Sequence, residues 1–251
     1  MPVLSRERHI GCHGAFNIRD LGGYATTDGR TVRWQTLYRA DGLHRVPPSA
    51  APGLDELGWR TVLDLRTTAE VDAGAFRAGG LEVIHLPMLR QTWGIPEQLD
   101  LDPVAFLSTH YLQMLDDGAH AIATAFTVLA SPSRVPAVFH CSAGKDRTGV
   151  LAALVLSSIG VPDDTVADDY HLSAPAVEQL VAWLTATRPD LTEEMARQPK
   201  AYLSCPPEAM HTFLAALRAR FGSVDAYLDG IGVSADVRHR LRDVLLEPVP
   251  A

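Results

Sequence analysis

Residues 138–149, VFHCSAGKDRTG, decide the fold of this chain. An apolar run ends at His140 and an apolar helical stretch begins at about Thr148, so a short glycine-containing loop joins a strand to a helix. At such a junction the backbone N–H groups of the loop converge with the positive end of the helix dipole. The stretch therefore predicts an α/β domain with an anion-binding loop at the end of a strand.

The sequence on either side of this loop predicts strands in the first half of the chain and helices in the second. Apolar runs at Thr61–Leu65, Leu81–Leu86 and Val135–His140 indicate buried strands of a mixed or parallel sheet. Helical spacing follows at residues 104–115, 119–129, 150–159, 174–187, 207–221 and 234–246. We expect a single domain over residues 1–251, in which helices flank a central sheet and a helical, lid-like insertion lies at about 171–204.

Composition and charge narrow the class of protein. The 251 residues are 47% hydrophobic and 21% charged, which excludes intrinsic disorder as the main state. A net charge of −8 argues against general binding to nucleic acid. The N-terminus lacks the apolar run of a signal peptide, and the most apolar stretch, Val150–Ile159, is too short to span a bilayer. We expect a cytoplasmic protein without a membrane segment, with export by a route that needs no signal peptide as the alternative.

The side chains of the loop suit attack on a phosphate. A thiol at Cys141, at the mouth of an anion cradle, is expected to ionise to the thiolate. Arg147 can bind an oxyanion with two parallel N–H bonds, and Thr148 can stabilise the sulfur as a leaving group. His140 can support the thiolate from the preceding position. The phosphate-binding set is expected to be Ser142, Ala143, Gly144, Lys145, Asp146 and Arg147, acting through a phosphocysteine without a metal or other cofactor.

The loop resembles the signature of the cysteine-dependent protein tyrosine phosphatase superfamily, in a bacterial branch of tyrosine and phosphoinositide phosphatases. Residues 16–24, 37–41, 62–66 and 221–233 are similar to the same branch, so the resemblance covers most of residues 15–246. It implies the tyrosine phosphatase fold and hydrolysis of phosphotyrosine. Phosphoserine, phosphothreonine and phosphoinositides are further candidate substrates, the last because Lys145 is similar to the basic loop residues of phosphoinositide phosphatases.

One departure from the superfamily concerns the acid that protonates the leaving group. Many members carry an aspartate on a mobile Trp-Pro-Asp loop, whereas His85–Arg90 has no carboxylate after Pro87. We expect Asp146 to be the acid, with Asp64 as the second candidate. Each residue also has a structural alternative. Asp146 could serve only to hold the loop in place, and Asp64 could form a structural ion pair with Arg66. Asp168 and Asp169 are the next places to look.

Other functions remain open at this point. A catalytically silent module could bind phosphorylated ligands in the same cradle, although a binding module needs no nucleophile. A sulfurtransferase or arsenate reductase would also use the thiol, but Cys12 and Cys205 are not visibly placed as resolving partners. The expected partner is therefore a phosphorylated protein or phosphoinositide substrate, and the sequence leaves the oligomeric state open.

Overall fold

The computed structural model describes residues 7–76, 80–94, 100–188 and 199–248. Its strands are β1 Arg19–Asp20, β2 Arg30–Val32, β3 Leu37–Ala40, β4 Thr61–Asp64, β5 Glu82–His85, β6 Ala137–His140 and β7 Leu246–Pro248. Its helices are α1 Ala51–Asp55, α2 Thr68–Asp72, α3 Pro103–Asp117, α4 Ala119–Leu129, α5 Asp146–Ser158, α6 Asp163–His171, α7 Ala174–Thr187, α8 Lys200–Leu203, α9 Pro207–Phe221, α10 Val224–Gly230 and α11 Ala235–Leu245.

A five-stranded mixed sheet forms the centre, in the order β1-β3-β6-β4-β5. β1 pairs antiparallel with β3, and the other three pairs are parallel. β2 and β7 form a separate antiparallel pair. Helices flank the central sheet, so the predicted α/β architecture is confirmed.

Helix α5 follows the loop after β6 and lies at the centre of the core. It contacts β3 and β6 of the sheet and also α3, α6 and α10. Every residue from Arg147 to Leu156 is buried, which explains why this segment is apolar on all faces rather than amphipathic. A buried helix of this kind fixes the position of the loop at its N-terminus.

Two predictions about the elements need correction. The run at 81–86 was expected to be a buried strand, but β5 is the edge of the sheet, and Val83 is 40% exposed. Helix α6 was not predicted, because four aspartates in nine residues give it low mean hydropathy. The strands at β4 and β6 and the helices at α3, α4, α7, α9 and α11 lie where the sequence predicts them.

The carboxyl ends of the parallel strands β3, β4 and β6 lie along one edge of the sheet, which is where open α/β sheets bind ligands. The lid-like insertion expected at about 171–204 includes α7 and α8, while residues 189–198 lie outside the described part of the chain. Among the described helices, none has the length and apolar character that crossing a membrane requires.

Candidate active site

The loop between β6 and α5 closes tightly against the end of β3. Gly144 has φ +65°, and a Cβ there would lie 2.6 Å from the carbonyl oxygen of Ala40. Both the left-handed backbone and this close approach require glycine. The glycine that the sequence places in the loop therefore sets its path.

Three side chains from the first forty-five residues hold the loop carbonyls. Asn17 Nδ2 and Arg39 Nη2 donate to the carbonyl oxygen of Gly144 at 3.0 and 2.8 Å. Arg45 Nη1 donates to that of Ser142 at 3.0 Å. By contrast, within the described residues the backbone amides from Ser142 to Arg147 donate no hydrogen bond. The carbonyls are bound and the amides are free, which is the arrangement that binds an anion.

A buried ionic cluster supports these side chains in turn. The carboxylate of Asp169, on α6, accepts from Arg39 at 2.5 Å, from Arg19 at 3.0 Å and from the Tyr24 hydroxyl at 2.9 Å. Burial raises the pKa of Asp169, but the two guanidinium groups outweigh that effect and hold it well below its usual range. With 1% exposure, Asp169 is a structural anion, and this excludes it as the leaving-group acid.

Cys141 lies at the end of β6 and forms part of a cleft of about 580 Å³. The polar part of the lining is the loop, and the remaining walls are largely apolar. α7 contributes Val177, Leu180, Val181 and Leu184, whose spacing puts them on one helix face. The rest of the lining is Leu89, Thr92, Trp93, Gly94, Met114, Ser142, Ala143, Asp146, Arg147, Tyr202 and Leu203.

Arg147 lines the cleft and is paired with Glu70 of α2. Its Nη1 donates to Oε2 at 2.5 Å and its Nη2 to Oε1 at 3.0 Å. This pair uses one edge of the guanidinium, so the Nε–H and the second N–H of Nη2 remain for a phosphoryl group. Burial lowers the pKa of Arg147, but Cys141 and Glu70 raise it more, so its charge is permanent.

Glu70 is held in place by several donors of its own. It accepts from Ser142 Oγ and from the Thr67 backbone N–H, in a capping box at the start of α2. Burial raises the pKa of Glu70, but Arg147, Ser142 and the Thr67 amide lower it further, to about 2. Its carboxylate therefore orients the arginine at any ordinary pH.

Thr148 and His140 flank the thiol position in the sequence and are both fully buried. The hydroxyl of Thr148 has no hydrogen-bond partner among the described residues. The His140 ring donates from Nδ1 to the carbonyl oxygen of Cys141 at 3.3 Å. Burial, with Arg66 nearby, lowers the pKa of His140 to about 4, so the ring is neutral at pH 7. His140 thus contacts the backbone of Cys141 rather than its sulfur.

The two expected acids have different surroundings. Asp146 lines the cleft with 21% of its side chain exposed, and its Oδ1 accepts from the Tyr111 hydroxyl at 2.7 Å. Asp64 is 2% exposed, and both its oxygens accept from Arg66, at distances from 2.6 to 3.1 Å. Burial raises the pKa of Asp64, but Arg66 outweighs this and lowers it. The structure therefore brings Asp146 to the cleft and leaves Asp64 in the pair with Arg66.

Lys145 departs from its expected position. It was expected in the phosphate-binding set, but its side chain is buried, and Nζ donates to the carbonyl oxygen of Tyr202 at 2.8 Å. Nζ also lies 3.1 Å from Asp146 Oδ1. The Lys145 ammonium is thus absent from the cleft lining. Lys145 can contribute only its backbone amide to an anion site at the loop.

Sequence reasoning missed several residues of the site. The capping box at Thr67 and Glu70 was a detectable signal, although it gives no hint that the glutamate holds an arginine 77 positions away. Asn17 lies in a segment, 16–24, that was used only for the family resemblance, and its side chain in fact binds the loop. Tyr111 and Tyr170 carried no sequence signal, because isolated tyrosines in helices are ordinary core residues.

The chain is similar in sequence to known phosphatases. The chain is 30% identical to the triple specificity protein phosphatase PtpB of Mycobacterium tuberculosis, over 93% of this chain and 97% of that protein. It is 29% identical to a putative tyrosine-protein phosphatase of Cupriavidus necator, over 84% of this chain and 80% of that one. A third relative, a tyrosine-protein phosphatase of Nostoc commune, is 29% identical over 54% of this chain and 48% of its own length. A family model described as the tyrosine phosphatase family matches residues 10–247. The chain belongs to the tyrosine phosphatase family.

Proposed function

We propose that this phosphatase hydrolyses phosphotyrosine monoesters through a phosphocysteine on Cys141, without a metal or cofactor. The observation that carries the proposal is that Cys141 and Arg147 line one cleft, on a loop whose backbone amides from Ser142 to Arg147 donate no hydrogen bond within the described residues. The apolar lining from α7 and Trp93 suits the aromatic ring of the substrate.

In the first step the Cys141 thiolate attacks phosphorus, so that the S–P bond forms as the ester P–O bond breaks. The loop amides and the free edge of Arg147 bind the phosphoryl oxygens and stabilise charge in the transition state. Asp146 gives its proton to the departing phenolate oxygen.

In the second step water attacks phosphorus and the P–S bond breaks. The carboxylate of Asp146 takes the proton from the water, and phosphate leaves with the sulfur restored as thiolate. The buried Thr148 hydroxyl, which has no partner in the described residues, donates to that sulfur. This role accounts for an otherwise unsatisfied polar group in the core.

The range of substrates is part of the proposal. We place phosphotyrosine first, with phosphoserine, phosphothreonine and phosphoinositides as weaker substrates. The relative from Mycobacterium tuberculosis is named a triple specificity phosphatase, which supports testing all of them. The burial of Lys145 argues against a polyphosphorylated head group as the preferred substrate, because it leaves Arg147 as the one basic side chain in the described cleft lining. Initial rates on phosphotyrosine peptide, phosphoserine peptide and a soluble phosphoinositide rank them directly.

The nucleophile is tested by Cys141→Ser. A serine hydroxyl is not ionised at neutral pH, so turnover should fall at least 10⁴-fold while phosphate-ester binding remains. Cys12→Ser, at a half-buried cysteine outside the cleft, is the control and should keep wild-type activity. Turnover of Cys141→Ser within about tenfold of wild type would exclude the covalent mechanism.

Two further measurements test the alternatives of a binding module and a metal enzyme. Wild-type protein that binds phosphotyrosine peptide without releasing phosphate would favour the catalytically silent module. Loss of activity in EDTA, with recovery on adding one metal, would point to a different class of hydrolase.

The acid is tested by Asp146→Asn and Asp64→Asn in parallel. Asp146→Asn should lose about 10²–10⁴-fold in kcat on phosphotyrosine, and much less on 4-nitrophenyl phosphate, whose leaving group needs no proton. Asp64→Asn should lower activity on both substrates equally. If the dependence on the leaving group follows Asp64 instead, Asp146 only holds the loop.

A cytoplasmic location and a single domain over residues 1–251 stay predictions. Fractionation of the source cells checks the location, and limited proteolysis followed by calorimetry checks whether the chain unfolds as one unit.

A further inference from the structure

The surroundings of Asp146 contain a buried hydrogen-bond chain that the proposed mechanism has not used. Tyr111 of α3 is fully buried, and its hydroxyl donates to Asp146 Oδ1 at 2.7 Å. The Tyr170 hydroxyl of α6 lies 2.7 Å from that of Tyr111. Because Tyr111 uses its proton on Asp146, Tyr170 must donate to Tyr111. The chain therefore has one direction, from Tyr170 through Tyr111 to the carboxylate.

Tyr111 and Lys145 both contact the same oxygen of the Asp146 carboxylate. Oδ1 accepts from Tyr111 and lies 3.1 Å from Lys145 Nζ. Oδ2 accepts no hydrogen bond from the described residues, although Asp146 lines the cleft. One oxygen is thus anchored and the other is free.

We infer that Tyr111 is a positioning residue, which anchors Asp146 so that Oδ2 carries the proton for the leaving group. This inference rests on the proposed role of Asp146 as the acid. In the first step the Oδ2–H bond breaks and its proton joins the ester oxygen as the P–O bond breaks. The resulting carboxylate keeps the Tyr111 hydrogen bond on Oδ1, and Oδ2 takes the proton of the attacking water in the second step.

The two phenols do not titrate in the assay range. Burial, with Asp146 as the next cause, raises the pKa of Tyr111 well above its usual value, and the same two causes raise that of Tyr170. Both therefore remain donors at any pH at which the enzyme works. The other titratable or charged groups near Asp146 are Cys141, Lys145, Arg147, Tyr202 and Cys205. None of these groups occupies Oδ2 in the described residues.

The test is Tyr111→Phe, compared on phosphotyrosine and on 4-nitrophenyl phosphate. The ratio of kcat on the two substrates cancels any loss of folded protein, because both rates come from the same preparation. We expect the ratio to fall about tenfold, since the acid loses one hydrogen bond to a charged group. The basic limb of the kcat profile on phosphotyrosine should also move to higher pH, because the carboxylate loses a donor that stabilises it.

Two variants provide the controls. Tyr227→Phe removes a buried hydroxyl that donates to the carbonyl oxygen of Leu115 on α3, the helix that also carries Tyr111. This variant should leave the ratio unchanged. Asp146→Asn removes the acid itself and should lower the ratio about 10²-fold or more. In the double variant that combines Tyr111→Phe with Asp146→Asn, the two effects on the ratio should not add, because Tyr111 acts only through Asp146.

The outcomes separate the two claims. If Asp146→Asn lowers the ratio and Tyr111→Phe leaves it unchanged, the positioning role is wrong while the acid stands. Equal loss on both substrates in Tyr111→Phe has the same meaning, because a merely structural hydroxyl affects both. If Asp146→Asn leaves the ratio unchanged, the acid itself is wrong and the role of Tyr111 falls with it.

Discussion

The two sides of the loop between β6 and α5, the carbonyl side and the amide side, differ in how their polar groups are satisfied. On the carbonyl side, Ser142 and Gly144 accept from Arg45 and Arg39, whose guanidinium groups are paired with Asp41 and Asp169 respectively. On the amide side, the six backbone N–H groups from Ser142 to Arg147 donate to no acceptor in the described residues. Since native proteins seldom leave such groups unpaired, we expect a ligand to bind on the amide side and the carbonyl side to support the loop.

The comparison predicts that damage to the support lowers stability, whereas damage to the cleft lowers turnover. Each variant below is therefore to be measured for both the free energy of unfolding and kcat/KM. A support variant that lost turnover alone, or a cleft variant that lost stability alone, would break the comparison.

The largest effect is expected for Asp169→Asn. Removing this carboxylate leaves Arg19 and Arg39 buried without a counter-ion, so the free energy of unfolding should fall by about 3–5 kcal/mol. Urea denaturation measures the change. Asp163→Asn on the same helix breaks a half-exposed pair with Arg218 and should cost less than about 1 kcal/mol. Similar losses in the two variants would show that burial of the cluster adds nothing.

The next effect is a loss of stability on mild acidification. His140 has a pKa of about 4 in the folded protein, so it is uncharged there, whereas in the unfolded chain it takes a proton at about pH 6.5. Its contribution is complete above about pH 6.5 and is lost as the pH falls toward 4, by about 3 kcal/mol. His44, with a pKa of about 4, acts in the same direction.

Urea denaturation at about pH 7 and about pH 4.5 measures this dependence. In His140→Gln the loss between the two pH values should be smaller, because one of the two groups is gone. A wild-type stability that is the same at both would mean that the ring is not buried as described.

On the cleft side, Arg147→Lys should lower kcat/KM by about 10²-fold, or about 2.7 kcal/mol, with little change in stability. Lysine keeps the charge but loses the planar fork that binds Glu70 on one edge and phosphate on the other. Arg134→Lys, at a half-exposed position outside the cleft, is the matched control. Near-normal kinetics for Arg147→Lys would make the arginine a part of the support.

The smallest effect is expected for Glu70→Gln, at about tenfold in kcat/KM. The substitution removes the charge that orients Arg147 while keeping the size of the side chain. Because the pKa of Glu70 is about 2, the deficit should be constant above about pH 4. A deficit that appears only at one end of the pH range would assign Glu70 a proton-transfer role instead.

The sequence predicted the elements that are strongly apolar or clearly punctuated. The strand at β6, the loop and the helices α7 and α9 all lie where their patterns place them. Prediction from the sequence failed for elements whose local composition does not match their position in the tertiary structure. Helix α6 is rich in aspartate, yet Asp169 and Tyr170 are buried because partners elsewhere in the chain bind them. Similarly, the apolar run of β5 does not show that this strand lies at the edge of the sheet.

The sequence by itself determined the chemistry of the loop, because Cys141, Gly144 and Arg147 lie within seven positions and their spacing alone puts thiol, turn and guanidinium together. Only the tertiary structure decided which groups surround that loop. Glu70 meets Arg147 across 77 positions, Lys145 meets the carbonyl of Tyr202 across 57, and Tyr111 meets Asp146 across 35. Such contacts depend on how separate elements pack, and no local pattern of apolar and polar residues encodes which distant partner a buried polar group will find.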